Sequence, residues 1–293
     1  MDPDIRTVVV FADGPGGGNP APVALDAGEM TDQQMQDVAR ASGHESAFVL
    51  PSPAGSTADL ALRFWVPDHE MEMCGHATVG AIWLLSTLGI LEKDRVTVST
   101  ASGDVEARIV RTDGTIEVEI SQPVGRIVPV SPGGIDTVLD VLRIDRAALA
   151  DHHVVNATTS RTKTLVPMID AAALDGLRPD LDRVERVCTD LGSTGLYPYA
   201  VSGAGPRQYV ARQFPRSSGY PEDPATGIAA AALLFGLLDD SLIDLSDDVV
   251  TIRQGRAMGR PSAMTLRLRM EDSTAVGCWL GGPVEIAVPE EHE

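Results

Sequence analysis

The sequence is short of cysteine, of basic clusters and of long apolar runs, and each shortage removes a class of protein. Three cysteines among 293 residues, Cys74, Cys188 and Cys278, form an odd, sparse set. Such a set supplies no disulfide framework and points to a reducing compartment. Lys+Arg number 23 against 42 Asp+Glu, a formal charge of −19, and no cluster of cations stands out. A field of that sign repels phosphate, which argues against nucleic acid and anionic membrane as partners. Apolar stretches such as 225–238 are too short and too rich in small residues to span a bilayer. The first residues lack the basic start and apolar core of a signal peptide, so a cytoplasmic location is expected.

What is present is ordinary for a globular chain: 43% apolar residues and 22% charged. The length favours two domains. Residues 7–11 read as a buried strand running into the glycine-rich loop 13–20. Thr31 reads as the N-cap of a helix over 31–41, with Met35, Val38 and Ala39 at helical spacing. Strands follow at 46–50 and 58–66, then a loop over 67–75 and an Ala/Gly-rich helix from about His76 to Leu88, stopped by Gly89. Further strands read at 96–100, 105–110 and 116–120. The second half repeats the unit: a strand over 208–214, a loop over 215–224 and an Ala-rich helix over 225–238. Sliding the first half forward by 148 positions brings Pro67 onto Pro215, Ala77 and Thr78 onto Ala225 and Thr226, and Leu85 onto Leu233. A duplicated α+β domain is the expectation. Two helix N-termini at matching loops, lined by small residues, suit a substrate carboxylate bound by backbone N–H groups in a cleft between the halves.

The densest reactive stretch is 68–76, with His69, Glu70, Glu72, Cys74 and His76. The spacing of His69, Cys74 and His76 matches no standard metal site, and His152 and His153 complete none, so no metal is expected. His76 is either a helix-start or core histidine, or a donor and proton relay. Glu222 and Asp223 before Pro224 are either a surface turn or a carboxylate pair at a helix start. Glu45, just ahead of an apolar strand, is either solvated at the strand mouth or turned into a water-poor cleft, where a carboxylate both takes and returns a proton.

Five segments in order resemble the PhzF-like phenazine-biosynthesis isomerase family, relatives of diaminopimelate epimerase. They are Gly17-Gly18-Asn19-Pro20, Glu45-Ser46-Ala47-Phe48-Val49, Cys74-Gly75-His76-Ala77-Thr78, the run from Pro221 to Gly227, and Gln254-Gly255 with Gly259-Arg260-Pro261-Ser262. The resemblance covers nearly the whole chain. It implies two pseudo-symmetric domains, each a mainly antiparallel barrel-like sheet around a central helix. Residues 1–122, completed by a strand from 276–289, would form one half and residues 123–275 the other. It also implies a cofactor-free homodimeric isomerase, within a family tied to antibiotic biosynthesis. Glu45 would be the general acid/base, with His76 and Asp223 as catalytic partners. Gly75, Gly227, Ile228, Asn19 and Ser46 would bind a small anionic carboxylate substrate.

Two departures bear on the substrate. Ile228 stands where the family commonly has Ser, and His44 precedes Glu45 where Ser is frequent. Both argue for an unsaturated amino or dicarboxylic acid other than the phenazine precursor. The related epimerases use two cysteines. Cys74 occupies the first of those positions and no thiol fills the second, so an epimerase using Cys74 is the alternative and a vestigial Cys74 the expectation.

Overall fold

A computed structural model describes residues 3–217 and 220–287. The chain divides into two compact units, one of Met1–Ala12, Gly18–Ser121 and Gly281–Glu293, the other of Asp13–Gly17 and Gln122–Leu280. The loop Asp13–Gly17, counted with the N-terminal half on sequence order, therefore belongs to the second unit. Asp13 donates its N–H to the Pro261 carbonyl at 3.0 Å and its carboxylate pairs with Arg253, also at 3.0 Å. Gly17 backs so tightly onto the Pro261 carbonyl that a Cβ would collide with it. Residues 218 and 219 of the 215–224 loop, and 288–289 of the anticipated closing strand, lie outside the described residues.

The N-terminal unit runs β1 (Ile5–Val10), β2 (Asn19–Ala24), α1 (Asp32–Ser42), β3 (Ser46–Pro51), β4 (Leu60–Trp65), β5 (Glu70–Met71), α2 (Gly75–Thr87), β6 (Arg95–Thr100), β7 (Gly103–Thr112) and β8 (Thr115–Pro123). Most neighbours pair antiparallel; β2–β3 and β4–β6 are parallel. A parallel pair needs a crossover, and α1 and α2 supply the two. Thr31 caps α1 in a capping box with Gln34, and Gly43 ends it in the left-handed region at φ 68°. That turn delivers Glu45 to the mouth of β3. Helix α2 is apolar all round and buried from Gly75 through Ser86 with little interruption. A helix without a polar face has to be enclosed, here by a curved sheet. Gly80 permits the contact: a Cβ there would lie 2.7 Å from Val8 Cγ2 and 2.9 Å from Val10 Cγ2.

The C-terminal unit runs β9 (Arg126–Pro129), α3 (Pro132–Leu142), β10 (Val155–Thr158), β11 (Thr162–Pro167), α4 (Ala171–Asp175), α5 (Leu181–Asp190), β12 (Gly195–Val201), β13 (Gln208–Ala211), β14 (Phe214–Pro215), α6 (Gly227–Asp239), β15 (Val250–Gln254), β16 (Ser262–Glu271) and β17 (Thr274–Gly281). A last strand, β18 (Val284–Ile286), pairs antiparallel with β1 in the N-terminal unit. The pairing sequence repeats that of the first unit. β11 and β12 are parallel across α4 and α5, β12 and β13 antiparallel, β13 and β15 parallel across α6, and β15 and β16 antiparallel. Helix α6 is again apolar and buried almost throughout. On its other face the sheet packs against α3 and α5 through Val138, Leu142, Val166, Val187 and Leu196.

The duplication holds, with a shifted register. β4 and β13 start 148 residues apart, but α2 and α6, both of 13 residues and both opening on glycine, start 152 apart. The second loop is therefore four residues longer. Cys74 corresponds to Thr226 as N-cap, and the match of Ala77 with Ala225 is one helical turn out of place. The helices begin at Gly75 and Gly227, not at His76 and Ala225.

Candidate active site

In the N-terminal unit three side chains meet at the start of α2. The Cys74 thiol donates to Glu45 Oε2 at 3.2 Å, and His76 Nδ1 lies 3.3 Å from that same oxygen and 3.4 Å from Cys74 Sγ. Glu45 keeps 24% of its side chain exposed, while His76 keeps 6%. One carboxylate oxygen is thus held by two neighbours while the group stays reachable. Cys74 is the N-cap of α2 and its side chain caps no backbone group. The first amides of a helix have no intrahelical partner, so their positive end faces Glu45 and any anion beside it. His76 Nε2 is buried without a hydrogen-bond partner among the described residues. A proton on Nδ1, the nitrogen that faces Glu45 and Cys74, leaves Nε2 with a lone pair for a substrate group. His76 is therefore not the cap, and the Cys74 thiol is buried against Glu45 Oε2.

The donor set Glu45, Cys74 and His76 lies within 4.8 Å and offers O, S and N atoms to a cation. This is a different set from His69, Cys74 and His76: His69 is exposed and takes no part. Ser46 is buried, and its hydroxyl donates to the His44 carbonyl at 3.1 Å and lies 3.3 Å from Ser42 Oγ. It fastens the turn that carries Glu45. Asn19 opens β2 opposite Val10, half-buried.

In the C-terminal unit the loop before α6 is held from several sides. Asp223 Oδ1 accepts from the Ala225 N–H at 3.2 Å and Oδ2 from the Thr226 hydroxyl at 2.6 Å. Glu222 makes a two-pronged pair with Arg212, at 2.9 and 2.7 Å, with both side chains largely buried. Arg212 also donates to the Leu174 and Leu177 carbonyls, so Glu222 is an anchor and Asp223 the carboxylate that the anchor positions. Gln254, buried, donates from Nε2 to the Asp223 carbonyl at 2.6 Å and to Thr226 Oγ1 at 3.1 Å, while its Oε1 accepts from Tyr197 OH at 2.9 Å. Gly255 sits at φ 77° and a Cβ there would strike the Arg260 and Pro224 carbonyls. The Gln254-Gly255 motif is therefore the backing of the Asp223 turn. Thr226 caps α6 without a side-chain hydrogen bond to its amides, leaving Gly227 and Ile228 at an open helix start. Sequence reasoning missed Arg212 and Tyr197; neither sits in a recognisable motif.

A fold of two like units, each with an all-apolar helix opening on a polar constellation, defines a duplicated α+β protein whose residues suit proton transfer. The chain belongs to the PhzC-PhzF family of phenazine biosynthesis-like proteins, whose model matches residues 8–278. It is 31% identical to an "uncharacterized isomerase" of Deinococcus radiodurans, over 94% of this chain and 90% of that one. It is 30% identical to the trans-2,3-dihydro-3-hydroxyanthranilate isomerase of Pseudomonas aeruginosa, over 89% of this chain and 90% of that one. Among solved structures, a PhzF-family phenazine biosynthesis protein of Bacillus anthracis superposes with a TM-score of 0.85 at 22% identity, covering 97% of this chain and 96% of that one. The expected fold is the one observed.

Proposed function

We propose that the protein is an isomerase that moves a proton within a small unsaturated amino or dicarboxylic acid, with Glu45 as the single acid/base. The observation that supports this most is the Glu45 carboxylate: about a quarter exposed, hydrogen-bonded through one oxygen to Cys74 with His76 Nδ1 beside it, and set at the open N-terminus of α2. In the step, Glu45 takes a proton from an acidic carbon and the electron pair moves along the conjugated system. The same carboxyl group then returns the proton to another carbon of that system, so nothing is oxidised or reduced. His76 offers Nε2, an acceptor, to a substrate N–H or O–H and so positions the conjugated system. Asp223 orients a substrate nitrogen, and the amides of Gly75, Gly227 and Ile228, with Asn19, take its carboxylate. The reading includes a homodimer working in the cytoplasm without a cofactor, in secondary metabolism.

A two-thiol racemase fits poorly. The cap that corresponds to Cys74 is Thr226, and burial pushes the other thiols up, Cys188 to about 11 and Cys278 to about 12. Neither is a thiolate at neutral pH. Ile228 supplies a backbone N–H but no hydroxyl, which favours an acid less polar at that point than trans-2,3-dihydro-3-hydroxyanthranilate. The test is to assay that compound beside a panel of unsaturated amino and dicarboxylic acids. With whichever turns over, Glu45→Gln is expected to lower kcat by about 10²–10⁴. Activity retained within tenfold would remove Glu45 from the chemistry.

A further inference from the structure

The C-terminal unit holds two largely buried polar side chains with no hydrogen-bond partner among the described residues, Gln213 with both its polar atoms buried. Lys163, on β11, is 6% exposed, and its ammonium forms no hydrogen bond or ion pair with any described residue. Gln213 is 1% exposed, and both its Nε2 and its Oε1 are buried without partners. A buried amide or ammonium in that state opposes folding, and an apolar residue of similar size would not. Retaining both needs a reason outside the fold.

Their placement supplies one. β11 and β12 run parallel with Thr164 beside Leu196, so Lys163 stands next to Gly195, and neighbours in register point to the same face. Gly195 has no side chain, and the space that its Cβ would take is filled by Gln213 Nε2. Lys163 and Gln213 are therefore adjacent on one face. Leu165 and Tyr197 share that face two residues on. Leu165 packs against Gly236 of α6, and Tyr197 reaches Gln254, which holds the Asp223 turn. Gln213 is bridged to Asp223 directly, its carbonyl accepting the Asp223 N–H at 3.1 Å. The face carries donors beside the proposed substrate-orienting carboxylate.

We propose that Lys163 and the Gln213 amide form an oxyanion subsite that takes an anionic oxygen of the substrate, a carboxylate or the enolate oxygen of the shifted system, next to Asp223. The assignment of that oxygen to the substrate rests on the isomerase reading above. The ammonium and the Nε2 amide donate, and a low-dielectric surrounding makes a fixed donor worth more than in water. Burial pushes the Lys163 ammonium down to about 8; Asp223 and Cys188 act against that and Arg161 with it. Unfolded, Lys163 titrates near its ordinary 10.5. Burying the charge therefore lowers stability in full below about pH 8, and the penalty fades as pH rises to 10.5.

The chain contains two lysines, Lys93 and Lys163. Lys93 is 66% exposed and paired with Asp59, which makes it an internal control. Protein labelled with ¹³C at lysine Cε thus gives two side-chain signals. The probes are 3-hydroxyanthranilate and mesaconate, titrated into the Glu45→Gln variant so that binding is read without turnover. The expected result is a saturable shift of the Lys163 signal with at least one probe while Lys93 stays still. Lys163→Met should then weaken that probe tenfold or more, and Gln213→Leu should weaken it as well. Lys163→Met should also be more stable than the parent at pH 7, by a margin that closes toward pH 10.5. No saturable Lys163 shift with either probe, or unchanged binding in Lys163→Met, overturns the subsite. If Lys163 responds but Glu45→Gln keeps full turnover, the subsite stands and the Glu45 mechanism falls.

Discussion

Glu45 Oε2 receives the Cys74 thiol at 3.2 Å and sits 3.3 Å from His76 Nδ1, so in the proposed mechanism the thiol orients the carboxylate and need not carry a proton itself. Cys74→Ser keeps a donor at that place. It is expected to leave kcat within about tenfold of the parent, since one neutral hydrogen bond is worth roughly 1 kcal/mol. A loss beyond a thousandfold, measured with the same substrate, would return the chemistry to the thiol. Glu45, His76 and Asp223 stood out in the sequence as candidates, and the structure brings Glu45 and His76 together in the N-terminal unit. The Cys74–Glu45 contact did not, because 29 residues separate the partners and only the packing of α2 beside β3 brings them together. Lys163 was hidden for another reason. Flanked by Thr162 and Thr164, it reads as a solvent-facing strand position, and nothing local marks it as buried.

At the scale of elements, α2 tests how closely the sheet holds its helix. Alanine normally improves a helix interior by about 1 kcal/mol over glycine. At position 80 the added methyl would meet Val8 Cγ2 at 2.7 Å and Val10 Cγ2 at 2.9 Å, atoms on a paired strand that cannot retreat cheaply. Overpacking of this kind costs about 1–3 kcal/mol. Gly80→Ala should therefore lower stability by up to about 2 kcal/mol in urea unfolding; a gain would show that the sheet yields. The strands and helices around the site followed their periodicity and caps, Thr31 and Gly89 among them. The helix starts did not, because Cys74 and Thr226 are poor side-chain caps and the true match lay under cheap alanine identities.

At the scale of the whole molecule, a formal charge of −19 makes self-repulsion a general term. Raising salt from 0.01 to 0.15 M shortens the screening length from about 30 to about 8 Å, so the thermal midpoint at pH 7 should rise across that range. A fall would mean that surface ion pairs such as Arg63–Glu70 outweigh the repulsion. The duplicated plan was visible in sequence from strand–loop–helix order. The stretch 123–207 was not, since Gly133 and Gly134 blur the start of α3 and α5 opens on Asp180 without a capping bond. The central claim is a proton carried by one carboxylate, and isotope transfer reads it directly. Turnover in D₂O, followed by NMR of the product, should place solvent deuterium on the receiving carbon with the parent enzyme and none with Glu45→Gln. Deuterium entering at the parent rate in Glu45→Gln would contradict the account.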